Sequence, residues 1–382
     1  MDASLTDTDS RKRLFVFIAI AYGISFLMMI PMYIGLQKGT DLSQIVDAQM
    51  CSPAAAVAFG FLLFRKGEKK IPKMFMTVLV VNYIIQLLLG LLIVFANPFG
   101  PEEVIDLSCL TGVPGMDDAT IETLQSALNL NQIYYYIGQY VLLICSVLLW
   151  IGYFVAGRER RRFVGLSRNN EGKGFLLVLL FTGLFTARAF LPALIEGVIS
   201  NTLPEFAEHI TGLLKNPVFY VAMVSLPFNY PMTIIAFFGE EYGWRYYLQP
   251  IMQKKFGMRL GVILLGIVWG LWHLPVDTMY YTDDSVPQMI VGQIITCVSL
   301  GIFLGYAYLK TNNIWVPVAM HFLNNNLAVI LSGQFTGDAL QGQSVSWIEL
   351  AEILVVDIIV FCLFIFAKEY KEKKTQQEAE NA

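Results

Sequence analysis

Three short runs of this chain place ionisable side chains in its most apolar surroundings. They are Gly239-Glu240-Glu241-Tyr242-Gly243-Trp244-Arg245, Trp269-Gly270-Leu271-Trp272-His273 and His321-Phe322-Leu323-Asn324-Asn325. A carboxylate and two imidazoles brought together can do one of two things. They can hold a catalytic zinc, with Glu240, His273 and His321 as ligands and one position open for water, or they can activate a water without metal through a glutamate base and a histidine. A neighbouring His and Asn that donate hydrogen bonds suit the oxyanion of a tetrahedral intermediate. The reaction class this supports is hydrolysis of an amide.

Such groups are expensive to keep there. Each Glu or Arg near the centre of a membrane helix costs roughly 2.5 to 3.5 kcal/mol, so Glu240, Glu241 and Arg245 together cost on the order of 8 to 10. That rivals the whole stability of a typical domain, about 5 to 15 kcal/mol. They persist only if they neutralise one another, line a wet cavity or do chemistry. At 3.6 residues per turn Glu241 and Arg245 share a face, with the acid first in the favourable order, while Glu240 points elsewhere. Glu241 therefore reads as the neutralising partner of Arg245, and Glu240 keeps a face of its own. His321 and Asn325 share a face by the same four-residue interval. Counted from the cytoplasmic ends, Glu240 lies roughly 14 Å deep, His273 roughly 20 Å and His321 roughly 10 Å, depths that helix tilt can bring together. Of the three histidines only His209 lies apart, in a loop with Glu205 and Glu208, and it reads as surface.

The elements that must position these groups are membrane helices. A chain of 382 residues with 56% hydrophobic and 15% charged residues and a mean hydropathy of +0.58 is too apolar for a soluble protein. The fold class expected is an all-α, polytopic transmembrane bundle of about ten spans. Apolar runs fall near 14–36, 50–64, 75–97, 133–155, 174–199, 217–250, 260–280, 287–309, 314–332 and 347–367. The first has a basic start but no small-residue cleavage site, so it is expected to be retained. Polar connections alternate in sign, with basic segments at Arg65–Lys73, Arg158–Lys173 and Lys254–Arg259, so both termini are expected in the cytoplasm. Pro227 and Pro231 are expected to kink or restart the long run, so that the helix bearing Glu240 begins near Met232 and ends by Pro250. Arg188 and Glu196 read as a capping or snorkelling pair. The five cysteines give no disulfide framework: Cys51, Cys145, Cys297 and Cys362 read as packing residues and Cys109 lies in a polar loop.

The organisation expected is residues 1–225 as N-terminal spans with an external loop at 98–132, residues 226–335 as the chemical core, and residues 336–382 as a last span and charged cytoplasmic tail. The loop is expected to cap the membrane face, with a short helix at Ala119–Leu128. No eukaryotic sorting signal is present, which suggests a multi-pass protein of a bacterial cell membrane.

At the three runs the chain resembles the CPBP group of intramembrane proteases, which takes in type II CAAX prenyl proteases and bacteriocin-processing and immunity proteins. The pattern is two glutamates with an arginine four after the second (Glu240, Glu241, Arg245), an aromatic with a histidine four later (Trp269, His273), and a histidine with Asn or Asp four later (His321, Asn325). The resemblance covers about residues 226–335. It implies an integral-membrane endopeptidase with its site in a cavity open to the cytoplasm or bilayer. Glu240 and His273 would activate the attacking water, and His321 and Asn325 would bind the oxyanion or complete a metal site. The family is often classed as metallopeptidase, which makes zinc the cofactor to test. The partners implied are a peptide or membrane-protein substrate and the lipid bilayer, with no nucleic acid. Trp269 stands where Phe is usual. Two rival readings are a non-catalytic immunity or scaffold protein that keeps the helical core, and a proton-coupled transporter using Glu240 and Glu241 as carriers. The transporter would carry inverted repeats and broken helices in both halves, and only the Pro227-Pro231 break is present.

Overall fold

The computed structural model describes residues 8–64, 70–95, 108–111, 113, 117, 120–121, 130–335 and 340–371. Most of the expected helix at 119–128, most of the 98–132 loop and the end of the tail lie outside these residues. In hydrocarbon every backbone N–H and C=O must find its partner within the chain, and an α-helix does so locally. The described elements are accordingly helical, with no strand among them. In chain order the helices are α1 Asp9–Gln37, α2 Ser43–Phe64, α3 Lys73–Phe95 and α4 Tyr134–Val155, then the short α5 Gly157–Phe163. Next come α6 Glu171–Ile199, α7 Leu203–Lys215, α8 Pro217–Phe256, α9 Met258–Met279 and α10 Val286–Thr311. The last two are α11 Trp315–Ser332 and α12 Trp347–Val360.

Eight of these, α1 to α4, α6 and α8 to α10, are long and apolar enough to cross a bilayer. Of the ten spans expected, the other two regions form the helices α11 and α12, which are not long and apolar enough by the same measure. The first carries His321 and three successive asparagines, and the second is only 14 residues long before a 3-10 segment continues it. The span expected to be short, near 50–64, is 22 residues because it starts at Ser43. Asp47, which precedes the apolar run expected near 50–64, is inside that helix and accepts a hydrogen bond from Gln139 Nε2 at 2.6 Å. Gln44 and Gln86 bond across the same α2–α3–α4 interface.

Two expectations about helices are corrected. Pro227 and Pro231 do not end the long run: α-helix continues from Pro217 to Glu241, a π-helical stretch spans Tyr242–Leu248, and α-helix resumes to Phe256 with Pro250 inside it. Within a bundle, neighbouring helices and local widening re-satisfy the groups a proline frees. Arg188 does not pair with Glu196. Its Nε lies 2.6 Å from Asp357 Oδ1 on α12, and its Nη2 donates to Thr296 on α10 at 3.0 Å. Ser299 Oγ donates to the other Asp357 oxygen at 2.8 Å. A buried carboxylate recruits the nearest strong donor, and sequence distance does not limit that choice.

The centre of the bundle is α2, with 72% of its span buried, against 22% for α1 and α6. It lies against α8 at the acidic pair itself. A Cβ on Gly239 would stand 2.5 Å from the Met50 carbonyl oxygen, and one on Gly243 2.3 Å from Pro53 Cβ. This small-xxx-small face lets two backbones meet. Gly257 makes the reversal from α8 to α9 at φ +83, a conformation glycine adopts without strain. One apolar core runs from Phe17 to Tyr370, so the N-terminal spans and the 226–335 segment share it.

Candidate active site

Four groups singled out from the sequence, Glu240, His273, His321 and Asn325, line one cavity of about 200 Å³. Glu240 comes from α8, His273 from α9 and the other two from α11. The acidic pair splits as its spacing predicts. Glu241, with no solvent exposure, takes Arg245 Nε at 2.9 Å. Its other oxygen, however, lies 2.8 Å from His321 Nδ1. Glu241 therefore bridges an arginine on its own helix and a histidine 80 residues on. Since a carboxylate only accepts, this bond places a proton on Nδ1 of His321 and turns Nε2 the other way. Nε2 faces Glu240 Oε1 at 3.9 Å, too far for a direct hydrogen bond.

Glu240 is held by two indoles that the sequence reading missed as donors. Trp269 Nε1 donates to Oε2 at 2.8 Å and Trp244 Nε1 to the same oxygen at 3.3 Å. Oε1 is left toward His321. The Trp269 ring also carries the Arg245 guanidinium 4.9 Å from its centroid, so one side chain binds Glu240 and contacts the ion-pair partner of Glu241. Arg245 Nη1 reaches the Gly301 carbonyl at 3.3 Å.

His273 sits at a break in α9, where the helix turns before Pro275. Proline has no N–H to continue the ladder. His273 Nδ1 lies 2.9 Å from the Trp269 carbonyl oxygen. A carbonyl can only accept, so Nδ1 carries the proton and Nε2 keeps the lone pair. Cys297, read as a packing residue, is a second missed neighbour, with Sγ 3.8 Å from the same Nδ1. A third is Gln49 on α2, which lines the cavity and donates Nε2 to the Trp272 carbonyl at 2.9 Å. Gln49 precedes the apolar run expected near 50–64, so the run itself gave no signal for it. Asp277, one turn past His273, is wholly buried with neither oxygen bonded.

Asn325 accepts from Asn324 Nδ2 at 2.9 Å through Oδ1, which leaves its own Nδ2 hydrogens as donors. His209 is exposed, as read, though on α7 rather than in a loop. The cysteines form no disulfide: Cys51, Cys145 and Cys297 are buried and Cys109 is exposed.

The zinc expectation can be set against these donors. Among the described residues no group of three His, Cys, Asp or Glu side chains is gathered as metal ligands.

Comparison with known proteins gives two likenesses. Residues 218–327 match the family described as type II CAAX prenyl endopeptidase Rce1-like. The CAAX prenyl protease 2 of Methanococcus maripaludis is 27% identical over 178 residues, covering 42% of this chain and 64% of that protein. The match thus spans less than two thirds of the relative. No solved structure matches the chain.

Proposed function

From the premise that the chain belongs to the CPBP family through residues 218–327, we propose that it is an intramembrane endopeptidase. Its substrate is a peptide bond in a membrane-proximal or membrane-anchored chain. The observation that carries this reading is the single cavity that Glu240, His273, His321 and Asn325 line together.

Glu240 is the general base. With Oε2 fixed by two indole N–H groups, Oε1 is the oxygen turned to a water in the cavity. His273, held through Nδ1, offers its Nε2 lone pair to orient that water. As the water attacks the scissile carbonyl, its proton passes to Glu240 and charge develops on the carbonyl oxygen. Asn325 Nδ2 and His321 Nε2, when protonated, donate to that oxygen, the arrangement of an oxyanion hole. Collapse of the intermediate breaks the C–N bond, and the proton held by Glu240 goes to the leaving amine. Glu241 and Arg245 touch no reacting atom in this scheme. They fix His321 and balance its charge.

The test uses purified full-length protein in nanodiscs with a panel of membrane-proximal peptides. Glu240→Gln and His273→Ala are each expected to lower kcat/KM by roughly 100- to 10,000-fold, with unfolding temperature retained. Undiminished cleavage by either variant would remove that residue from the chemistry. A metal-assisted route would use Glu240, His273 and His321 as ligands for zinc, which would supply Lewis-acid activation of water. Cleavage is expected to survive exhaustive chelation. Loss on chelation with zinc-specific recovery would install those three residues as ligands instead. Orientation completes the proposal: both termini in the cytoplasm, in a bacterial cell membrane.

A further inference from the structure

Away from the catalytic cavity, a larger cleft of about 780 Å³ opens where α4, α5 and α10 end against the side of α8. Four arginines line it, Arg158, Arg161, Arg162 and Arg168, and no acidic residue does. Arg161 Cζ stands over the Tyr153 ring, 4.4 Å from its centroid, and Arg168 is paired with Glu171 at 2.8 Å. Arg158 and Arg162 have no carboxylate partner among the described residues. Topology rules account for basic residues in this loop, but not for their convergence round one concave space.

Hydrogen bonds tie the walls of the cleft to one another. Asn169 donates to the Asn312 carbonyl at 2.9 Å, and Asn313 donates back to Asn169 at 3.0 Å. Gly165, at φ +74, leaves the space that the Tyr246 ring fills. Phe154, which lines the cleft, and its neighbour Val155 are 66 and 68% exposed, an apolar flank of the kind that faces acyl chains. Guanidinium groups bind phosphate through paired N–H donors, and basic pockets between membrane helices at the interface suit anionic headgroups.

We propose that this cleft binds the phosphate headgroup of an anionic phospholipid, with its acyl chains along Phe154 and Val155. The lipid is the occupant rather than a free anion because charge and exposed hydrocarbon meet at one opening. Binding braces the catalytic helix. Tyr246 lines the cleft and stacks on Tyr242 at 4.6 Å and 6°, and the Tyr242 hydroxyl donates to Val164 at 2.9 Å. Tyr242 follows Glu241 directly in α8.

The experiment measures lipid retention by native mass spectrometry, with full-length protein carrying either phosphatidylglycerol or phosphatidylcholine, independently of any cleavage assay. Phosphatidylglycerol is expected to bind preferentially. The double variant Arg158→Gln/Arg162→Gln is expected to weaken it about thirty-fold, from about one charge's worth of attraction per arginine. Arg158→Lys/Arg162→Lys should keep most of the preference, and the unfolding temperature of both in phosphatidylcholine should match the parent. Equal retention of the two lipids, or a preference unchanged in the glutamine variant, would overturn the proposal. So would full displacement by glycerol phosphate or by an acidic peptide at concentrations comparable to the lipid, since the acyl flank would then contribute nothing.

Discussion

The indole at position 269 carries an N–H that the more usual phenyl ring lacks, and that N–H donates to Glu240 at 2.8 Å. A hydrogen bond to a charged group contributes about 1.5 to 3 kcal/mol, and here it also fixes which carboxylate oxygen faces the cavity. Trp269→Phe is expected to keep the fold and lower kcat/KM by about tenfold or more; an unchanged value would mean that Trp244 alone holds Glu240. The sequence made the Glu241–Arg245 pair legible because both ends lie on one helix, where spacing fixes the contact. It could not show that Glu241 also takes His321, because that contact depends on how α8 and α11 pack. Trp244, Trp269 and Cys297 were hidden for a different reason: in an apolar run their hydrophobic bulk masks the hydrogen-bonding atom. Gln49 lay outside the pattern altogether, on a helix that the resemblance does not reach.

At the scale of elements, the acidic pair is framed by Gly239 and Gly243, which α2 packs against through Met50, Cys51 and Pro53. Gly239→Ala would set a methyl 2.5 Å from the Met50 carbonyl oxygen and 2.9 Å from Cys51 Cα, contacts that only a backbone shift can relieve. A loss of about 1 to 3 kcal/mol in stability is expected, together with reduced activity because Gln49 would move with α2. Thermal unfolding beside kcat/KM checks this; a variant as stable and as active as the parent would show that α2 does not support the site. The helices themselves were legible, since apolar runs of sufficient length have few other fates in lipid. Their joints were less so. Proline suggested a break near Pro231 that the bundle absorbs. The break at His273 went unpredicted, and it is the one that shapes the site.

Across the whole molecule, Arg188, Thr296, Ser299 and Asp357 tie α6, α10 and α12 together. Arg188→Leu would leave Asp357 buried with one hydroxyl donor, at a cost of about 3 to 5 kcal/mol. The double variant Arg188→Leu/Asp357→Leu is expected to recover most of that in denaturant unfolding; a double variant no more stable than the single one would show the two side chains to be uncoupled. The fold gives orientation a convenient reporter in Cys109, which is exposed while Cys51, Cys145 and Cys297 are buried. With both termini inside, an impermeant maleimide is expected to label Cys109 on intact cells, and labelling only after permeabilisation would invert the topology. One dimension of the bundle reaches into the membrane around it. The helix that carries the acidic pair is 40 residues long, about 60 Å at full stretch against a hydrocarbon layer of about 30 Å. It must lean steeply or emerge into the headgroups, so thin and thick bilayers will not house this protein on equal terms.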